Sequence, residues 1–167
     1  MDSALTFDTG RLVLLDRGTY RWVSLKRFRI DSARPVSELL SALVAHPSYR
    51  DHFASAFETQ GIHTLHGPYR VECITADTFR SINSSSARTL LQDWAGNAGV
   101  PVSREVQAEL DTQVFPLLEA PELFQLPDLR PDAQHDWGWV VGVDGFHELV
   151  AIDQADRVLT LIVAADD

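Results

Sequence analysis

Trp137-Gly138-Trp139-Val140-Val141-Gly142-Val143, then Asp144-Gly145, then Phe146 to Ile152, then Asp153-Gln154-Ala155-Asp156 and Val158 to Ala164: this closing stretch decides the fold. Three apolar runs of strand length are separated by two turn signals. Asp-Gly between such runs is the two-residue hairpin turn, because both central positions need a positive φ that Asp and Gly tolerate. The sequence therefore ends in an antiparallel meander. Its strands are apolar on nearly every residue rather than on alternate ones, which predicts helices over at least one face.

Working back from the meander, Glu119 to Asp136 contains Pro121, Pro127 and Pro131 and reads as a stiff acidic connector. Before it, Ser103 sits at the N-cap of a helix whose first turn holds Glu105 and whose apolar stripe is Val106, Leu110, Val114, Leu117 and Leu118. Pro116 is expected to kink or end that helix near Phe115. Leu90, Leu91, Trp94 and Ala95 mark another helix, closed by Gly96-Asn97-Ala98-Gly99, and Asn83-Ser84-Ser85-Ser86 reads as the end of a short helix over Ala76 to Ile82. Tyr69 to Thr75 reads as a strand. Further back, Pro35 opens a helix carrying Val36, Leu39, Leu40, Leu43 and Val44, and Tyr49, Phe53, Ala56 and Phe57 form the stripe of a second one ending at Gly61. The first thirty residues read as strands, with Asp8-Thr9-Gly10 and Asp16-Arg17-Gly18 as turns. Strands, then helices, then strands give one α+β domain over residues 1–167: an antiparallel sheet from the N- and C-terminal strands with a helical middle packed on it.

Charge is sorted along this order. Up to Ser103 there are eleven Lys and Arg against ten Asp and Glu; from Arg104 onward there are three Arg against fourteen acids, so the formal charge of −10 belongs to the C-terminal part. A field of that sign repels nucleic acid and anionic membrane and attracts cationic partners. No run of about 18 apolar residues is present, and the N-terminus has no basic segment leading into an apolar one, so a cytoplasmic protein is expected. The single cysteine, Cys73, excludes an internal disulfide.

Motifs for chemistry are sparse. His63 and His66 stand three residues apart in a Gly- and Pro-flanked loop with no Glu or Cys ligand close by in sequence, and two ligands do not make a zinc site. Cys73 lies in Val71-Glu72-Cys73-Ile74-Thr75 among apolar residues and reads as a small buried hydrophobe on a strand. Phe146-His147-Glu148 places an imidazole beside a carboxylate, but neighbours on a strand point to opposite faces. No nucleophile elbow and no glycine-rich phosphate loop occurs, so the residues assign no catalytic group, metal or cofactor. The basic strand Arg21 to Arg29 interleaves charge with aromatics, and an internal role facing the acidic C-terminal part accounts for it more economically than nucleic acid does.

The segment Trp137-Gly138-Trp139-Val140-Val141 with Val150-Ala151-Ile152-Asp153 resembles the closing strands of small bacterial immunity proteins from polymorphic toxin systems. The resemblance covers Trp137 to Asp167 and carries over no functional residue. It implies a compact α+β protein that binds and neutralises a cognate toxin domain, often through acidic surface. The expected function is thus an acidic protein-binding module that occludes a basic partner. Its candidate contacts are Glu105, Glu109, Glu119, Glu122, Asp128, Asp132, Asp136 and Trp137. Two alternatives stand beside it: a small hydrolase or transferase using Cys73 or the loop histidines, and a homo-oligomer in which the basic strand of one copy meets the acid of another.

Overall fold

The computed structural model describes residues 3–16, 21–50, 64–96, 100–134 and 145–166. Within them the N-terminal hairpin is β1 (Leu5–Asp16) and β2 (Arg21–Ile30). There follow α1 (Val36–Ala45), the small hairpin β3 (Leu65–His66) and β4 (Tyr69–Arg70), β5 (Arg80–Ser81), α2 (Ser84–Gly96) and α3 (Arg104–Glu109). The chain closes with β6 (Glu122–Leu126), β7 (Phe146–Asp153) and β8 (Val158–Asp166). Six of these strands make one antiparallel sheet in the order β1-β2-β8-β7-β6-β5, so the terminal hairpins meet at β2 and β8, as an α+β fold built from both ends requires.

Both faces of the sheet are covered, which explains the near-continuous apolar character of β7 and β8. On the first face, Trp22, Phe28, Ile30, Val150 and Leu161 pack under Leu39, Leu40 and Leu43 of α1. On the second, Val23, Leu149, Ile162 and Ala164 pack under Leu91 and Trp94 of α2 and Val106 and Leu110 of the α3 region. Ser103 caps α3, its hydroxyl accepting from the Val106 amide at 3.2 Å. The helix continues as a π turn over Leu110–Val114 and a 3-10 turn over Phe115–Glu119. The step from the π turn to the 3-10 turn falls between Val114 and Phe115, just before Pro116, which has no N–H to continue the ladder.

Several local readings are corrected. Asp8-Thr9-Gly10 is not a turn: β1 runs through it, absorbing the extra residue as a bulge between Phe7 and Thr9, and Arg27 pairs with Asp8 at 3.4 Å. Tyr69 to Thr75 is only a two-residue strand, then a 3-10 turn at Val71–Cys73 closed by the Ile74 amide on the Val71 carbonyl. Ala76 to Ile82 is likewise a 3-10 turn followed by β5, held by a reciprocal Thr75–Thr78 cap. Asn83 to Ser86 begins a helix instead of ending one, since Asn83 Oδ1 accepts from the Ser86 amide at 2.7 Å. Glu119 to Asp136 is not merely a connector, because Glu122–Leu126 pairs with β7 and carries the sheet outward. The readings of Phe53, Ala56, Phe57 and Gly61 as a helix, and of Trp137 to Val143 as a strand, lie outside the described residues, as do His63, Asp136 and Trp137.

Candidate functional site

The acidic residues do not share one surface. Glu105 and Glu109 lie on α3 and Glu119 on the 3-10 turn after it, all in the layer covering the second face. Glu122 begins β6. Asp128 and Asp132 lie in the loop after β6, which crosses to the first face, where Ala133 is buried and Leu129 packs against the core. There the Leu129 amide donates to the Tyr69 hydroxyl at 3.3 Å, and Arg70 donates to the Gln134 carbonyl at 2.9 Å and to that of Asp132. The sheet thus stands between two groups of carboxylates that are adjacent in sequence.

Internal pairing neutralises few of them. Glu119 accepts from Ser84 at 2.7 Å and faces Arg88 at 3.7 Å, and Asp128 holds Arg130 at 2.7 Å, a contact that lowers the Asp128 pKa. Glu109 accepts from Gln113. Among the described residues, Glu105, Asp111, Glu122, Asp132, Asp153 and Asp156 make no ion pair with a described cation. The basic strand does not answer them. Arg27 pairs with Asp8 and Arg29 with Asp31 at 3.2 Å, both N-terminal acids, while Arg21 is buried over the Trp94 ring. Among the described residues the ion pairs of this strand thus close within the N-terminal half, although β2 itself lies beside β8 and Arg27 lines a groove shared with Glu119, Asp153 and Asp156.

A groove of about 970 Å³ opens on the second face where the helical layer stops short of the end of the sheet. Leu25 of β2, Ala151 of β7 and Thr160 of β8 lie in it, and Pro116, Leu117 and Glu119 of the 3-10 turn Phe115–Glu119 border it. Arg11 and Arg27 stand at its β1–β2 side; Asp153 and Asp156, from the β7–β8 turn, stand at the other side with Glu119.

His66 is not a loop ligand. It is fully buried on the first face, with Nε2 2.7 Å from Glu148 Oε2, and Glu148 is fully buried as well. Tyr49 stacks on the imidazole at 4.1 Å between ring centres, and Phe146 meets it edge-on at 5.7 Å. Burial first, and then the Glu148 charge, push the Tyr49 hydroxyl well above its ordinary pKa. Among the described residues the Tyr49 hydroxyl and Glu148 Oε1 have no well-formed hydrogen bond, although the two groups lie close enough for Glu148 to add to the rise of the Tyr49 pKa. His147, beside Glu148 in sequence, meets Trp94 on the second face, so the alternation along β7 separates the two as expected. Gly67 makes the turn that brings His66 in: its φ is +54° and a Cβ there would overlap the Phe146 ring. Both groups are sealed from solvent, and the pair fastens the β3–β4 hairpin to β7. Cys73 is half-buried in a 3-10 turn, 3.8 Å from an Arg70 nitrogen, rather than buried on a strand.

No family model, curated protein or solved structure matches the chain. No helix among the described residues is long and apolar enough to cross a membrane, and no group of three or more metal-ligating side chains occurs among them. Sequence reasoning missed Glu148 and the groove acids Asp153 and Asp156. For Glu148 a local signal existed: it shares a strand face with the apolar Phe146 and Val150, so its carboxylate had to be buried and in need of a partner.

Proposed function

We propose that the chain is a protein-binding module that docks through surface carboxylates on a basic partner, acting as an immunity-type inhibitor that covers the partner's active-site cleft. The observation that supports this is the unanswered acid: Glu105, Asp111, Asp153 and Asp156 lie on the helical-layer side or at the adjacent groove with no described cation paired to them. Carboxylates left free in this way raise association rates with a cationic surface and disfavour anionic ones. Since the sheet divides the acid, a rigid partner engages one side, and the side holding both the larger acidic group and a concavity is the second face.

Affinity capture from the native host at about 0.05 M and 0.5 M salt tests the reading, because screening shortens from beyond 10 Å to a few ångströms over that range. A basic partner held at low salt and released at high salt is the expected result. Capture indifferent to salt, or only of acidic proteins, rejects the model.

One observation favours a second reading, self-association. The outer edge of β1 is unpaired among the described residues, and Leu12 and Leu14 are exposed there, Leu14 at 65%. Sedimentation separates the two: a monomer at micromolar concentration removes self-association.

A further inference from the structure

We infer that the groove on the second face is the docking site for a cationic loop of the partner protein, with one arginine or lysine of that loop laid across the groove toward Asp153, Asp156 and Glu119. This rests on the protein-binding reading and gives it a location and a recognised chemistry.

The register fixes the geometry. Arg27 of β2, Thr160 of β8 and Ala151 of β7 lie in one row across the sheet, and Thr9 of β1 extends it. Two strand steps separate Arg27 from Ala151, about 10 Å. Side chains along the row are short on the β7–β8 side, so the sheet surface there forms a shallow floor, with Leu25 one row along. Helical cover ends at the 3-10 turn Phe115–Glu119, whose Pro116 and Leu117 form an apolar wall.

Charge is divided across that floor. On the β1–β2 side, Arg27 is engaged by Asp8 and Arg11 stands beside it. On the far side are three carboxylates. Asp153 accepts from the Asp156 amide at 3.0 Å and makes no ion pair among the described residues, Asp156 is exposed, and Glu119 shares its charge with Arg88. An aliphatic stem on an apolar floor ending in a cation among carboxylates is the way a long basic side chain buries its methylenes while keeping its charge paired. An acidic occupant would desolvate the same three carboxylates against its own charge, so the groove selects for base.

The peptide acetyl-Gly-Arg-Leu-Arg-Gly-amide, titrated into the ¹⁵N-labelled full chain at low salt, tests this without the cognate partner. Amide shifts are expected to centre on Leu25, Ala151, Asp153, Asp156 and Thr160. Asp153→Asn with Asp156→Asn keeps the turn's oxygen acceptor and is expected to weaken the peptide about five- to tenfold, the sum of two exposed pairs. The charge-matched control Asp77→Asn with Asp93→Asn, two exposed carboxylates outside the groove, is expected to leave it within twofold, and thermal melts of both variants confirm folding. Shifts centred on α3, equal weakening by both variants, or no shift at all overturns the groove assignment. These failures leave salt-sensitive partner capture standing, whereas salt-indifferent capture rejects the binding reading itself whatever the peptide does.

Discussion

Removing His66 is expected to cost far more than removing the carboxylate it meets. In His66→Leu, Glu148 is left fully buried beneath Tyr49 and Phe146 with its only described ion-pair partner gone. Breaking a buried pair in that way costs about 3–5 kcal/mol. Glu148→Leu instead removes one hydrogen-bond partner from His66 Nε2, about 1–3 kcal/mol. With both replaced, neither side of the contact is left facing the other's missing group, so the double variant is expected to be no less stable than His66→Leu alone. The resulting coupling is about 1–3 kcal/mol. For a chain of this length His66→Leu should lower Tm by about 6–20 °C. Urea denaturation followed by tryptophan fluorescence reads all four corners of the cycle. Additive single variants, with coupling below about 0.5 kcal/mol, would refute the view that this pair fastens the hairpin to β7.

Alkaline stability should depend on Tyr49. Its hydroxyl pKa is raised above the ordinary 10.0, so its contribution is fully present below that value and is lost as pH climbs toward the folded value. Urea midpoints should fall above about pH 10 in the native chain and fall less steeply in Tyr49→Phe; identical slopes would contradict the burial argument. Gly67→Ala forces a side chain onto a φ of +54° and against the Phe146 ring, and calorimetry should show a loss of about 2–4 kcal/mol. Gly10→Ala, where the nearest atom is Phe7 Cζ at 3.4 Å, should stay within about 0.5 kcal/mol.

Local chemistry was legible in the sequence. Ser103 caps because its hydroxyl can reach the Val106 amide whatever the rest of the chain does. β7 and β8 were legible because their apolar runs are long and bounded by turns. By contrast β6 spans five residues between Pro121 and Pro127, so its prolines spoke more loudly than its alternation. Asn83 stops one reading and caps another, and only the amide it accepts from tells which. His66 and Glu148 are 82 residues apart, and the groove draws on β1, β2, β7, β8 and the Pro116 turn. Sites assembled over such separations leave no spacing to recognise. The charge bias pointed to the acidic half but not to its division by the sheet, since that division depends on the chain crossing faces after Leu126.

The most direct test of acidic occlusion is the captured partner's own activity, titrated with this chain at about 0.05 M and 0.5 M salt. The expected result is stoichiometric inhibition at low salt that is relieved at high salt, and relieved at low salt by Asp153→Asn with Asp156→Asn. Binding that leaves the partner fully active, or inhibition that salt does not move, would contradict it.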